Sequence, residues 1–126
     1  MPFTGRSLMP TILIVDDDEA IRSMLYDLLS EKYECDTASM AEEALQYIEV
    51  ERYDAILTDI AMPGLTGVEL LKKIQEHDSA TPVILISGKG SEQAQALVDL
   101  GAFAYVTKPF NLDEIEEVIE RAVTQK

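Results

Sequence analysis

After Pro10 the chain alternates short apolar runs with longer stretches whose apolar residues recur at three-and-four spacing. That alternation constrains the fold more than any other feature, because strand–helix–strand units close into right-handed crossovers over a parallel sheet. The strand-like runs also share a way of ending. Ile12-Leu13-Ile14-Val15 stops at Asp16-Asp17, and Ala55-Ile56-Leu57-Thr58 stops at Asp59. Val83-Ile84-Leu85-Ile86 stops at Ser87, and Ala104-Tyr105-Val106-Thr107 stops at Lys108-Pro109. Open parallel sheets bind ligands outside the carboxyl ends of their strands. Carboxylates, a hydroxyl and an ammonium would therefore gather at one rim. Carboxylates suit Mg²⁺, and the other two groups suit phosphate oxygens.

The helices read as follows. The first spans roughly Glu19 to Ser30, with Ile21, Met24, Leu25, Leu28 and Leu29 on one face. A more strictly alternating strand, Tyr33 to Ala38, suits a sheet edge. Ser39 with Glu42 forms a capping box ahead of a stripe of Ala41, Ala44, Leu45 and Ile48. Pro63-Gly64 marks a turn, and Thr66 with Glu69 opens a third helix to about His77. Ser91 caps a fourth helix that Gly101 ends. Asn111 and Glu114 open a fifth, with Ile115, Val118, Ile119, Ala122 and Val123 inward. Four of the five strands are apolar enough for burial on both faces. With the first strand central, winding reverses beside it, and the switch-point crevice falls between the strands carrying Asp16-Asp17 and Asp59.

The 126 residues suffice for one core. Residues 1–10 read as an N-terminal extension without signal-peptide character, and 11–126 as the domain. A net charge of −14 repels nucleic-acid phosphates and anionic membranes, so neither is an expected partner. The single Cys35 cannot form an internal disulfide, and a reducing cytoplasm is the simplest compartment.

These pieces together resemble the receiver domain of two-component response regulators. The resemblance rests on Asp16-Asp17, Asp59 followed by Met62-Pro63 and Gly67, Ser87-Gly88, Gly101-Ala102, and Tyr105 to Phe110 with Lys108-Pro109. It covers about residues 11 to 125. It implies a flavodoxin-like, doubly wound (βα)5 α/β fold with strand order 2-1-3-4-5.

It also implies a phosphorelay role on Asp59, since a carboxylate can act as nucleophile and hold an acyl phosphate. The donor would be a sensor histidine kinase or a phosphotransfer protein. Mg²⁺ would be held by Asp17 directly, by Asp16 mainly through water, by Asp59 and by the backbone carbonyl of Ala61. Lys108 would pair with Asp59 across an implied cis Lys108-Pro109 bond. Ser87 would donate to a phosphoryl oxygen, and Tyr105 would be the switch aromatic. Self-phosphorylation and slow self-dephosphorylation would be its only catalysis. The switching face, formed by the fourth helix, fifth strand and fifth helix, would act on an unspecified output domain or protein. A phosphorylation-dependent homodimer is a further expectation.

Plainer readings exist for each residue. Asp16, Asp17 and Asp18 could simply start a helix, where acids favour the positive dipole end. That suits Asp18 and leaves the repulsion of Asp16 and Asp17 unexplained. Asp59 could cap the turn before Pro63, and Lys108 could be a solvated lysine. His77 suits the end of its helix, and Met24, Met40 and Met62 read as core fillers. A haloacid-dehalogenase-type phosphatase would put its nucleophile on the first strand and leave Asp59-x-x-Met62-Pro63 unexplained. A pseudo-receiver normally lacks an acid or the lysine. A flavin binder would meet acids where its phosphate should sit.

Overall fold

The structure, a computed structural model, describes residues 9–60, 67–78, 80–88 and 92–124. Strands and helices alternate: β1 (Thr11–Val15), α1 (Glu19–Leu29), β2 (Glu34–Ala38), α2 (Ala41–Val50), β3 (Ala55–Asp59), α3 (Gly67–His77), β4 (Val83–Ser87), α4 (Glu92–Asp99), β5 (Ala104–Thr107) and α5 (Leu112–Thr124). All neighbouring strands run parallel, in the order β2-β1-β3-β4-β5. The expected doubly wound α/β sandwich is therefore the observed one, with its reversal between β1 and β3.

Period-two alternation splits each central strand between two cores. Leu13, Val15, Ile56, Val83 and Leu85 pack toward α2, α3 and α4, with Ala44, Ile48, Leu70, Ile74 and Leu97. Ile12, Ile14, Leu57, Ile84 and Ile86 pack toward α1 and α5, with Leu25, Leu29, Ile115 and Ile119. Such an arrangement leaves no apolar face of the central strands in water. Of the buried polar residues on these strands, Thr58, Asp59 and Ser87 lie at the carboxyl end and Thr11 at the amino end.

Several expectations shift. Three strands are buried throughout, not four, because β5 lies at the sheet edge with Tyr105 and Thr107 exposed. Met24 and Met40 sit at the surface, 39% and 47% exposed, rather than in the core. The first helix ends at Leu29 with Ser30 as its cap, and β2 begins at Glu34. Ser39 donates from its N–H and its hydroxyl to Glu43 Oε1, at 2.8 and 3.2 Å, and not to Glu42. The N-cap position belongs to Met40, so the partner glutamate falls one residue later. The other ends follow the sequence. Asn111 Oδ1 accepts from the Glu114 N–H at 2.8 Å, and Gly101 follows α4 with φ +120°. The expectations at Met62, Pro63, Gly64, Thr66 and Ser91 lie outside the described residues.

Candidate functional site

Three consecutive acids after β1 take three different positions. Asp16 is fully buried, while Asp17 is exposed. Asp18 is the N-cap of α1, its Oδ1 accepting from the Ala20 and Ile21 N–H groups at 2.9 and 3.4 Å. The capping explanation therefore accounts for Asp18 and stops there. Asp16 Oδ1 accepts from the Asp18 N–H at 2.8 Å, which fixes the carboxylate over its own turn. Its Oδ2 is buried with no hydrogen-bond partner.

Asp59 ends β3, next to β1 in the sheet, and is 4% exposed. Asp16, Asp17 and Asp59 each offer an oxygen within 4.8 Å of the others. From the far edge of the sheet, the Lys108 ammonium reaches back over the rim. Its Nζ lies 3.1 Å from Asp59 Oδ2 and 3.9 Å from Asp16 Oδ2. The Lys108 N–H donates to the Ser87 carbonyl at 2.8 Å, and the Lys108-Pro109 bond is cis. Ser87 ends β4, one strand from Asp59 (whose register partner is Ile86), and its Oγ is buried without a partner.

The electrostatics follow from this crowding. Burial, above all, raises the Asp16 pKa above the ordinary carboxylate value, and the Asp59 and Asp17 charges add to it. The Asp18 N–H and the Lys108 ammonium work in the opposite sense. Among the described residues, one ammonium, that of Lys108, faces three clustered carboxylates, which leaves net negative charge there. An orphaned buried carboxylate oxygen beside two further carboxylates is a donor set that fits a hard divalent cation such as Mg²⁺. The orphaned hydroxyl of Ser87 fits an oxygen acceptor brought in with a ligand.

The sequence profile described as response regulator receiver domain matches residues 12–120. The chain belongs to the receiver domain family. Phosphorylation on an aspartate is the general function of these domains in two-component signalling. They generally bind Mg²⁺ at an acidic pocket and interact with histidine kinases or phosphotransfer proteins. Among the relatives, sporulation initiation phosphotransferase F of Bacillus subtilis is 34% identical over 91% of this chain and 94% of its own length. The regulatory protein AtoC of Escherichia coli is 38% identical over 89% of this chain, but the match spans only 25% of AtoC. Among solved structures, the receiver domain of NtrX from Brucella abortus is 36% identical with a TM-score of 0.87, covering 91% of this chain and 99% of that one. A receiver domain protein from Clostridium thermocellum is 30% identical with a TM-score of 0.86, covering 91% and 94%.

The rim thus brings together Asp16, Asp17, Asp59 and Lys108, with Ser87 on the adjoining strand. Tyr105 stands apart, 41% exposed on β5 and in register with Leu85, two residues before Ser87. Ala61 lies outside the described residues. Sequence reasoning missed Arg22, whose Nη1 donates to the Asp16 carbonyl at 2.8 Å. Its only sequence signal was a cation one turn into the helix that follows the acids. It missed equally that Lys108 faces Asp16 as well as Asp59. Among the described residues, no helix is long and apolar enough to cross a membrane.

Proposed function

We propose that Asp59 is the phosphoacceptor of this receiver, with Asp16, Asp17, Asp59 and the Ala61 carbonyl holding Mg²⁺, and Lys108 and Ser87 binding the phosphoryl oxygens. The observation that carries this reading is the Lys108 ammonium, 3.1 Å from Asp59 Oδ2 and 3.9 Å from Asp16 Oδ2. A cation so placed can pair with the unphosphorylated carboxylate first and with a phosphoryl oxygen afterwards. Mg²⁺, when bound, offsets the clustered carboxylates so that a dianionic group can approach. A carboxylate oxygen of Asp59 attacks phosphorus, the bond from phosphorus to the donor histidine nitrogen breaks, and that nitrogen keeps the electron pair and takes a proton. Ser87 Oγ then gains the acceptor it lacks. A nucleophile on Asp16 is the weaker alternative, because it leaves Asp59-x-x-Met62-Pro63 unexplained.

The donor is a sensor histidine kinase or a phosphotransfer protein of the cytoplasm. The response passes from Ser87 through the Gly88-Lys89-Gly90 loop to Tyr105, which turns inward. The face of α4, β5 and α5 then engages an output domain, a partner protein or a second phosphorylated copy. Incubation with acetyl phosphate and Mg²⁺ gives an acid-stable, base-labile adduct that Asp59→Asn abolishes. Beryllofluoride, an acyl-phosphate mimic, shifts amide resonances around Asp59, around Ser87 and around Tyr105. Shifts confined to the Asp59 rim would contradict the switch, and an adduct that survives Asp59→Asn would contradict the acceptor.

A further inference from the structure

We propose that Arg22 is a positioning residue for the acid cluster, holding the peptide that joins Asp16 to Asp17 and so setting the relative directions of their carboxylates. The proposal rests on the reading of those carboxylates as Mg²⁺ ligands. The pairing of β1 with β2 runs from Thr11–Glu34 to Val15–Ala38, and the Asp16 N–H adds one more bond, to the Ala38 carbonyl at 3.1 Å. Beyond that bond β2 turns away into α2, and the strand ladder no longer holds β1. The next carbonyl, that of Asp16, is the one Arg22 Nη1 grips at 2.8 Å.

Arg22 is built to do this. Its own N–H donates to the Asp18 carbonyl at 2.9 Å, closing the first turn of α1, and its half-buried side chain folds back across that turn. The Asp18 N–H meanwhile holds Asp16 Oδ1. The turn is therefore fixed at two points, a carboxylate and the carbonyl of the same residue. The peptide between Asp16 and Asp17 carries one candidate ligand on each side, so its rotation would swing the two carboxylates relative to each other. A guanidinium is planar, always charged and weakly hydrated, which suits a fixed bond to a carbonyl better than a flexible ammonium does.

Positioning and plain electrostatics predict opposite signs. A cation beside a cation site repels Mg²⁺, so deleting Arg22 for charge reasons alone would tighten binding. Loss of positioning weakens it. Calorimetric titration of Mg²⁺ into the metal-free protein separates the two. Arg22→Ala is expected to weaken Mg²⁺ binding about tenfold, the equilibrium equivalent of one hydrogen bond from a charged donor. Arg22→Lys, which keeps the charge and one donor, is expected to recover about half of that loss on the logarithmic scale. The Asp17 amide nitrogen belongs to the gripped peptide, and its resonance in metal-free Arg22→Lys is expected to move while Asp59 stays put. Unchanged or tighter Mg²⁺ binding in both variants overturns the proposal. If Arg22→Ala fails to fold, Arg22→Lys decides alone. If native protein binds no Mg²⁺, or Asp17→Ala binds it as well as native, the ligand reading itself has failed, and that outcome is distinct from a native site indifferent to Arg22.

Discussion

At the amino side of the sheet, Asp54 Oδ2 accepts from the Thr11 N–H at 2.8 Å, the hydroxyl of Tyr53, just before β3, donates to Oδ2 of Asp36 in the middle of β2 at 2.7 Å, and Arg52 faces Asp78 at 3.5 Å. At the carboxyl ends, Asp16 Oδ2 and Ser87 Oγ are buried with no hydrogen-bond partner, and the Lys108 ammonium faces both Asp16 and Asp59. Each rim combines aspartates with a hydroxyl and a cation. One pairs its acids with donors from neighbouring elements, which ties strand to strand. The other packs acids against each other and leaves polar atoms unsatisfied, an arrangement that costs stability and makes sense only for a ligand that completes it. Cavity size does not report this difference. A pocket of about 320 Å³ opens at the amino side, between the ends of α2 and α3, lined by Ile48, Arg52, Tyr53 and His77 among others. The orphaned polar atoms lie at the other rim.

The sharpest way to break the comparison is to remove the shared cation. Lys108→Ala leaves Asp16 and Asp59 without their ammonium. In metal-free protein this is expected to cost about 2 kcal/mol, less than the ~3–5 kcal/mol of a fully buried pair because Lys108 is 29% exposed. Mg²⁺ should restore most of the loss, since it binds the native state and offsets the same charges. Urea titrations with and without Mg²⁺ measure both. A loss that Mg²⁺ leaves untouched would mean that Lys108 is structural and the rims are alike.

At the opposite rim, Tyr53→Phe removes a buried hydroxyl from a carboxylate. It is expected to cost about 1.5 kcal/mol by the same titration and to leave labelling by acetyl phosphate at the native level. Reduced labelling would show that the amino rim is not purely structural.

The carboxyl rim was legible in the sequence and the amino rim was not. Asp16, Asp59, Ser87 and Lys108 each follow an apolar run, and a parallel sheet turns that linear coincidence into a spatial one. The β1–β3 reversal followed from the burial of β1. What the sequence could not carry were contacts made by long side chains. Arg22 folding back on a carbonyl and Tyr53 reaching Asp36 across 17 residues leave no periodicity to read. The Ser39 box slipped from Glu42 to Glu43 because helix ends are set by local backbone angles, and Met40 takes the extended cap conformation there. The burial of β5 was overread for a related reason. An apolar run does not say whether a second neighbouring strand exists, and β5 has only β4 beside it.

A smaller effect sharpens the account of repulsion. Asp17 is exposed, so Asp17→Asn is expected to stabilise metal-free protein by about 0.5 kcal/mol while removing most of the Mg²⁺-induced rise in melting temperature. A melting temperature that falls without metal would contradict mutual repulsion at this rim. Smallest of all is Cys35, half-buried on the edge strand β2. Burial, with the Asp36 and Glu34 charges, pushes its thiol up to about 12. A raised folded pKa means that the stability Cys35 contributes is intact below the ordinary thiol value near 9 and is lost as pH climbs toward 12. Alkylation by iodoacetamide at about pH 8.5, just below that ordinary thiol value, should accordingly be much slower in folded than in urea-unfolded protein. Equal rates would remove the burial argument for this strand.

The claim that one rim is built for chemistry and the other for cohesion meets its most direct test in a single mapping experiment. Native protein, Asp59→Asn and Asp54→Asn are incubated with acetyl phosphate and Mg²⁺, reduced with borohydride and read by peptide mass spectrometry. The account predicts one trapped site, Asp59, in native protein and in Asp54→Asn, and none in Asp59→Asn. A trapped site on Asp16, or labelling that persists without Asp59, would contradict it.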